Sequence, residues 1–380
     1  MQRVQTPMIP VVGEWIAQHP GTISLGQGIV HYAPPHEAKE AAANAMLHES
    51  RIDRYCLVRG IDDLLEKLEA KLREENQIEL CGSSVVVTAG SNMAFQNAVL
   101  AIADEGDEII LLSPYYFNHE MAIAIAGCKP VIVPTNAQYQ IELDRLEAAI
   151  TDRTRAIVTV SPSNPTGAVY TRESLEAVNA LCRKQSIFHI SDEAYEYFIY
   201  GGQTHFSPAS LPNTSEHTIS MYSFSKAYGM AGWRVGYMVV PNQLEVPIKK
   251  IQDTNLVCPP VLNQIAASAA LDAGRSWCEQ QIRGFEDVRN LVAERLDALG
   301  DRCDAPQPEG AFYTLAKMHT DRQDMDLVES LIREFGVAVM PGQTFGVDQG
   351  CSLRIAYGAL EQDTVSEGMG RLTRGLEKLL

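Results

Sequence analysis

The sequence lacks long apolar runs, closely spaced cysteines and an excess of positive charge. It holds 31 Lys and Arg against 48 Asp and Glu, a net charge of −17 at pH 7. Nucleic acids and anionic membranes attract proteins through clustered cations, so the composition argues against both as partners. A small anionic ligand stays possible, because a local cationic pocket can lie beneath a negative surface.

The cysteines stand alone in separate segments and none forms a C-x-x-C pair. They are Cys56, Cys81, Cys128, Cys182, Cys258, Cys278, Cys303 and Cys351. This spacing argues against a metal site or a redox pair and favours buried free thiols in a reducing compartment. Residues 1–15 contain two prolines and no sustained apolar core, which predicts neither a signal peptide nor a spanning helix. We therefore expect a cytoplasmic protein.

Repeats and low-complexity tracts are also missing, and short apolar runs instead alternate with helical patterns over the first two thirds of the chain. Strands are predicted at 85–88, 108–112, 130–133, 156–160, 187–190, 218–222 and 235–240, with helices at 92–103, 143–150 and 172–184. Several of the strands are apolar throughout, as expected when both faces are covered. The pattern predicts an α/β fold with a mostly parallel, about seven-stranded sheet sandwiched by helices.

The regular alternation of strand and helix patterns ends after about residue 260. A long helical stretch at 261–299 leads to short strands at 312–316, 337–340 and 353–356, and a helix closes the chain at 360–380. This predicts a smaller α+β domain. We expect residues 45–260 to form a large ligand-binding domain, and residues 1–44 together with 261–380 to form the small domain and an N-terminal arm.

Two segments have the chemistry of a phosphate site. Ser223, Ser225 and Lys226 follow one predicted strand, and Arg234 comes eight residues after the lysine. Hydroxyls and a bidentate guanidinium suit a phosphate dianion. Gly90-Ser91-Asn92 forms a strand–glycine–helix turn, whose free N–H groups and helix dipole attract the same group. The turn does not match G-x-G-x-x-G, so the dinucleotide fingerprint is absent.

Polar residues also follow two further strands. Asn164 lies in Ser-Asn-Pro-Thr-Gly, and Asp192 and Tyr195 lie in Ser-Asp-Glu-Ala-Tyr. Alone, these are consistent with a turn and a helix N-cap. In open α/β sheets, however, ligands bind at the carboxyl ends of strands. A carboxylate can keep a pyridine nitrogen protonated, an amide and a phenol can bind a phenolate oxygen, and Tyr116 offers a stacking face. With the lysine and the phosphate site, these groups describe a pyridoxal-phosphate site.

The ordered set Ser-Asn-Pro-Thr-Gly, Ser-Asp-Glu-x-Tyr, Ser-x-Ser-Lys and Gly-Trp-Arg-x-Gly resembles the class I/II aminotransferases, which belong to the fold type I pyridoxal-phosphate superfamily. The resemblance extends from Leu25-Gly26-Gln27-Gly28 to Ser352-Leu353-Arg354. It implies that Lys226 forms the internal aldimine and then transfers the proton of the reaction, which requires a neutral amine.

The resemblance also implies the remaining cofactor contacts. Asp192 would pair with the pyridine nitrogen, Tyr195 and Asn164 would bind the 3-oxygen, and Tyr116 would stack on the ring. The phosphate would be held by Gly90, Ser91, Asn92, Ser223 and Arg234. Ser225 either joins that set or only supports Lys226.

Substrate binding and assembly follow from the same resemblance. Arg354, with Gly28 and Asn164, would bind the substrate and its α-carboxylate. An arginine inside an apolar strand is costly unless paired, which independently favours a ligand role for Arg354. Tyr55 matches a tyrosine that reaches the phosphate in the neighbouring subunit, so the resemblance implies a homodimer with shared active sites.

The predicted activity is reversible, ping-pong amino transfer from an L-amino acid to an α-keto acid. Gly28-Ile29-Val30-His31 replaces the usual Gly-x-Pro-Asp, which leaves the side-chain pocket undefined, and no clear second arginine suits a dicarboxylate. This favours a neutral or aromatic substrate over aspartate.

Several alternatives stay open. The same lysine and cofactor support C–S β-lyases, cyclopropane-carboxylate synthases and cyclases. Ser223-x-x-Lys226 also fits an acyl-enzyme hydrolase, but the companion Ser-Asp-Asn and Lys-Thr-Gly motifs are absent. Regulators that use an aminotransferase-like domain as a ligand sensor carry an added DNA-binding segment, which we do not expect here.

Overall fold

A computed structural model describes residues 4–5 and 7–380. Residues 1–3 and 6 belong to the N-terminal segment considered above and lie outside the described residues. The helices are α1 (Met8–Gln18), α2 (His36–His48), α3 (Asp62–Glu74), α4 (Ser91–Ile102), α5 (Phe117–Ile125), α6 (Leu143–Ala149), α7 (Arg172–Gln185), α8 (Asn242–Asn255), α9 (Val261–Ile282), α10 (Phe285–Asp297), α11 (Asp324–Phe335) and α12 (Gln362–Leu379). The strands are β1 (Ile23–Ser24), β2 (Ser83–Thr88), β3 (Glu108–Ser113), β4 (Lys129–Pro134), β5 (Thr154–Val160), β6 (Phe188–Asp192), β7 (Thr218–Ser223), β8 (Gly236–Pro241), β9 (Cys303–Asp304), β10 (Tyr313–Met318), β11 (Val337–Ala338), β12 (Met340–Pro341) and β13 (Cys351–Ala356).

The predicted large sheet is confirmed. Its order is β2-β8-β7-β6-β5-β3-β4, and each of the seven predicted strands matches within two residues at either end. β8 runs antiparallel to β2 and β7, and the other pairs are parallel. The fold class is therefore the mostly parallel α/β architecture that the apolar runs indicated.

The apolar runs reflect cover on both faces of the sheet. In β3, Ile109 and Leu111 enter one core with α4, α5 and α8, while Ile110 and Leu112 enter another with α6 and α7. Since neighbouring residues of a strand point to opposite faces, a strand between two cores must be apolar at every position. This burial fixes the positions of the strand ends, where the polar motifs lie.

A second sheet has the antiparallel order β12-β13-β10-β9, and β1 pairs in parallel with β11. Helices α11 and α12 pack together beside these strands, and α1 packs on α11 and β12. One hydrophobic core includes Val85 and Val239 of the large sheet as well as Leu353 and Ile355 of the second. The division into domains at residues 45 and 260 therefore stays a prediction.

Two sequence expectations need correction. The stretch at 261–299 forms two helices, α9 and α10, with a break at Arg283 and Gly284, and Gly274 adopts φ +71° inside α9. Glycine tolerates this conformation because it has no Cβ. All eight cysteines are free, but Cys81 is exposed and Cys56 and Cys303 are half-buried, so buried thiols were predicted correctly at the other five.

The helices of residues 4–5 and 7–380 include none with the length and apolar composition needed to cross a bilayer.

Candidate active site

The polar motifs meet in one cavity of about 380 Å³ at the ends of β5, β6 and β7. Val160, Asp192 and Ser223 are the last residues of these parallel strands, so they lie at the same edge of the sheet. The cavity is lined by Ile29, Ser91, Asn92, Tyr116, Val160, Asn164, Asp192, Ala194, Tyr195, Ser223, Ser225, Lys226, Ala231 and Arg234. Its volume suits a small molecule. The structure thus brings together nearly all of the predicted cofactor-binding residues.

Lys226 lies in the wall of the cavity. Its Nζ donates a hydrogen bond to the Gly28 carbonyl at 2.6 Å, and Tyr32 Oη donates to the carbonyls of Lys226 and Ala227 at 3.2 and 3.0 Å. Burial, and secondarily the nearby Arg354 cation, lower the pKa of Lys226 from 10.5 to about 8. A large fraction of this amine is therefore neutral at mildly alkaline pH, as a nucleophile and proton carrier requires.

Asp192 is held by a residue that the sequence analysis missed. His119 Nε2 lies 3.1 Å from Asp192 Oδ2, and the backbone N–H of Ala194 donates to Oδ1 at 3.1 Å. The His119 ring is buried and stacks on Phe95 at 4.0 Å. Its only sequence signal is its position three residues after Tyr116, the residue that immediately precedes α5.

The N-terminus of α4 and Arg234 lie side by side, as the predicted phosphate site requires. Gly90 precedes α4 with φ +83°, and a Cβ built there would overlap the Arg234 guanidinium. Arg234 Nη1 donates to Ser225 Oγ at 3.3 Å, and Nη2 donates to the Ala89 carbonyl at 3.3 Å. The guanidinium therefore lies beside the free N–H groups at the start of α4, a combination that attracts anions.

Ser225 contacts Arg234 and Ser223, two other members of the predicted phosphate-binding set. Its side chain lines the cavity and accepts from Arg234, while its backbone N–H donates to Ser223 Oγ at 3.1 Å. Lys226 Nζ donates its hydrogen bond to the Gly28 carbonyl, and within residues 4–5 and 7–380 no hydrogen bond joins it to Ser223. This arrangement does not support Ser223 and Lys226 as an acyl-enzyme pair.

Arg354 lies inside the protein with 1% of its surface exposed. It donates to Asn164 Oδ1 at 3.0 Å and to the Gly26 carbonyl at 2.6 Å. Its guanidinium carbon lies 4.8 Å from the Tyr313 ring centroid and 4.7 Å from that of Phe345. Its Nε has no partner among the described residues, so one N–H donor is free for a ligand. Burial lowers the pKa of Arg354 because the cation is poorly solvated, and an anionic ligand would stabilise it.

Tyr195 is paired with a second tyrosine that the sequence analysis missed. The hydroxyls of Tyr195 and Tyr313 lie 2.8 Å apart and both side chains are buried. Burial raises the pKa of both, to about 12 for Tyr313. Tyr313 is the first residue of β10, and the apolar pattern of that strand gives no sign of a role in the site. The Tyr313 hydroxyl also packs closely against Gly28, because a Cβ on Gly28 would lie 2.8 Å from the Tyr313 oxygen.

Tyr55 is the predicted site residue that lies elsewhere. Its side chain is 82% exposed and does not line the cavity of its own chain. This placement leaves its predicted role in a neighbouring subunit untested.

The fold and the cavity are typical of one class of enzyme, in which a lysine that follows a strand shares a cavity with a carboxylate and with groups suited to an anion. A family model described as Aminotransferase class I and II matches residues 20–372. The aromatic aminotransferase ISS1 of Arabidopsis thaliana is 32% identical, over 98% of this chain and 94% of that relative. A protein of Aquifex aeolicus named "Probable aspartate/prephenate aminotransferase" is 36% identical, over 94% and 91%. The crystal structure of an aromatic aminotransferase from Pyrococcus horikoshii superposes with a TM-score of 0.89 and 34% identity, over 97% and 99%.

The chain belongs to the class I and II aminotransferase family. It is a pyridoxal-phosphate-dependent transaminase of fold type I that acts on amino acids and keto acids. The family resemblance and the fold predicted from the sequence are both confirmed.

Proposed function

We propose that this chain binds pyridoxal phosphate in the cavity described above and transfers amino groups through Lys226. When bound, the cofactor supplies an aldehyde that condenses with amines and a ring that withdraws electrons from the carbon bearing the amino group. The donor set suits this molecule, because an anion site, a carboxylate and a lysine surround one cavity of matching size. The phosphate would be held by Gly90, Ser91, Asn92, Ser223, Ser225 and Arg234.

The observation that carries the proposal is the amine of Lys226, which lies in the same cavity as Asp192 and has a pKa of about 8. A neutral Nζ would attach the cofactor and would then be free to move a proton at the substrate α-carbon. Asp192, held in place by His119, would keep the pyridine nitrogen protonated. Asn164 and Tyr195 would hold the 3-oxygen, and Tyr116 would pack on the ring.

Arg354 would bind the substrate α-carboxylate, with Gly28 and Asn164 beside it. Two hydrogen bonds and two aromatic rings already orient the guanidinium, so little freedom is lost on binding. Among the described residues that line the cavity, the cations are Lys226 and Arg234, both already assigned. A dicarboxylate side chain would therefore find no further cation among these lining residues.

These features support a neutral or aromatic amino acid as the donor. The names of the Arabidopsis and Pyrococcus relatives are consistent with an aromatic donor. Aspartate is the second candidate, because the Aquifex relative is named for aspartate and prephenate. An aspartate-specific enzyme would need a partner for the second carboxylate besides Lys226 and Arg234.

The working assembly would be a homodimer located in the cytoplasm. The side chains of Tyr55 and Leu57 are 82% and 59% exposed. They belong to a loop whose backbone is hydrogen-bonded to two buried glutamines. Gln252 Nε2 donates to the Val58 carbonyl at 2.6 Å, and Gln264 Oε1 accepts from the Ile61 N–H at 2.9 Å. A firmly held loop that exposes two large apolar side chains suits a subunit interface.

Covalent trapping tests the attachment site. Borohydride reduction of the protein loaded with pyridoxal phosphate, followed by peptide mass mapping, should place the cofactor on Lys226. Lys226→Ala should abolish the label, whereas Lys67→Ala, which removes a lysine on α3, should retain it. A label that persists in Lys226→Ala would remove Lys226 from its proposed role.

A panel of amino donors tests the substrate class. Aromatic and neutral donors should give the largest kcat/KM, and Arg354→Gln should weaken all of them by roughly 2–5 kcal/mol if the carboxylate loses a buried charge partner. Equal losses across donors indicate a contact with the shared carboxylate. A clear preference for aspartate would overturn the proposed substrate class but not the transamination.

A further inference from the structure

Tyr313 contacts two of the proposed site residues, Tyr195 and Arg354, but has no assigned role of its own. Its side chain is fully buried, its hydroxyl is 2.8 Å from that of Tyr195, and its ring lies 4.8 Å from the Arg354 guanidinium carbon. It therefore contacts both the residue proposed to hold the cofactor's 3-oxygen and the residue proposed to bind the substrate carboxylate.

The distance between the two hydroxyls does not fix which one donates, but their chemistry does. A tyrosine hydroxyl has one proton to donate and two lone pairs that can accept. If Tyr195 gives its proton to the cofactor, its oxygen can only accept from Tyr313. The Arg354 cation near the Tyr313 ring lowers the pKa of that phenol relative to burial alone, which makes Tyr313 the better donor of the pair.

We propose that Tyr313 is a positioning residue whose hydroxyl donates to Tyr195 and thereby directs the single proton of Tyr195 to the cofactor's 3-oxygen. This inference rests on the proposed role of Tyr195. A donor that itself accepts a hydrogen bond becomes a stronger donor, so the chain Tyr313–Tyr195–oxygen stabilises negative charge on the oxygen more than Tyr195 alone.

The consequence appears in the titration of the bound cofactor. Loss of the proton from the nitrogen that joins the cofactor to Lys226 increases the negative charge on the adjacent 3-oxygen. A stronger donor stabilises that deprotonated state and lowers the pH midpoint of the absorbance change. Tyr313→Phe keeps the ring and removes the donor, so it should raise the midpoint by roughly half a pH unit.

The experiment is a spectroscopic pH titration of the loaded protein in four variants. Tyr195→Phe should raise the midpoint more than Tyr313→Phe, and the double variant should match Tyr195→Phe alone, because Tyr313 acts through Tyr195. Tyr237→Phe removes a buried hydroxyl that has no partner among the described residues, and it should leave the midpoint unchanged.

The outcomes separate the two proposals. An unchanged midpoint in Tyr313→Phe, or equal and additive shifts in the double variant, would overturn the inference and leave the role of Tyr195 intact. A Tyr195→Phe protein that binds the cofactor with an unchanged midpoint would overturn the proposed role of Tyr195 and the inference with it. If Tyr313→Phe binds less cofactor, Tyr313→His, which retains an N–H donor, should restore the midpoint toward that of the natural protein.

Discussion

At the scale of single residues, the site depends on cations placed where water is scarce. Arg354 is fully enclosed, and its charge adds to the effect of burial on Lys226, whose pKa falls to about 8. Each cation costs free energy when no anion is bound, and the anionic groups of the proposed cofactor and substrate would remove that cost. Buried charge thus lowers the pKa of Lys226 and would favour a carboxylate beside Arg354.

The lowered pKa predicts how cofactor attachment depends on pH. Only the neutral amine attacks an aldehyde, so the rate at which cofactor-free protein captures pyridoxal phosphate should rise with pH. The midpoint of this rise should lie near pH 8. Near pH 7 this makes the neutral fraction about 300-fold larger than for an ordinary lysine with a pKa of 10.5. Stopped-flow absorbance across pH 6–10 measures the midpoint.

Arg354→Gln serves as the comparison for that titration. Removing the cation should raise the midpoint, because Arg354 is the largest charge effect that disfavours protonation of Lys226. A wild-type midpoint near 10 would show that burial does not lower the pKa.

Gly28→Ala should destabilise the protein through one close contact. The added Cβ would lie 2.8 Å from the Tyr313 oxygen, so we expect the free energy of unfolding to fall by about 1–3 kcal/mol. Denaturant unfolding measures this loss, and the substitution should cost less in a Tyr313→Phe background, where the oxygen is gone. An equal cost in both backgrounds would contradict the proposed contact.

At the scale of elements, the strand ends were the part of the site that the sequence could predict. Short runs rich in apolar residues marked β5, β6 and β7, and parallel strands place their carboxyl ends together, so Asp192 and Ser223 had to meet. His119 and Tyr313 could not be found in this way. Neither belongs to a motif, and their contacts with Asp192 and Tyr195 arise from α5 and β10 packing against strands distant in sequence.

The break between α9 and α10 illustrates a second limit of the sequence. The apolar spacing of 261–299 is compatible with one helix, and Gly274 and Gly284 carry no local signal that chooses between a tolerated glycine and a break. Tertiary packing decides the outcome. Element type was therefore predictable from periodicity, whereas element boundaries depended on contacts made elsewhere.

The turn between β2 and α4 gives a prediction at this scale. Gly90→Ala introduces a Cβ into a residue with φ +83° and directly onto the Arg234 guanidinium, which would have to move away from the proposed phosphate site. We expect the affinity for pyridoxal phosphate to fall at least about tenfold, because a hydrogen bond between charged groups contributes roughly 1.5–3 kcal/mol and would be lost when the guanidinium moves. Equilibrium dialysis or fluorescence titration gives the Kd.

Gly106→Ala is the matched control. Gly106 has a similar φ of +88°, but a Cβ there meets nothing within 4 Å. It should lose stability without losing cofactor affinity. Equal effects of the two substitutions on the Kd would assign the loss at Gly90 to general destabilisation.

At the scale of the whole molecule, the acidic exterior contrasts with the cationic cavity. The net charge of −17 coexists with Lys226, Arg234 and Arg354 at or beside one site. Small anionic substrates therefore gain affinity from local contacts in the cavity and not from the overall field, which is repulsive to them. One hydrophobic core connects both sheets, and the loop with Tyr55 and Leu57 exposes two large apolar side chains.

Mixed dimers test whether Tyr55 completes the site of a neighbouring subunit. Tyr55→Ala and Lys226→Ala proteins should each be defective, the first in cofactor affinity and the second in attachment. When subunits are exchanged, a mixed dimer contains one site with an intact Lys226 and an intact Tyr55 from the other chain. Cofactor affinity should then return at one site per dimer. No recovery after exchange, checked by native mass spectrometry, would assign Tyr55 to its own subunit or to no site.

The central claim, transamination through Lys226, is tested most directly by one half-reaction. Protein loaded with pyridoxal phosphate is mixed with an aromatic amino acid in the absence of any keto acid, and the cofactor spectrum and released products are followed together. We predict a single turnover, in which each site releases one keto acid and retains pyridoxamine phosphate, with no such conversion in Lys226→Ala. Continued release of ammonia or of cleaved side chain without a keto acid acceptor would contradict the account and identify a lyase.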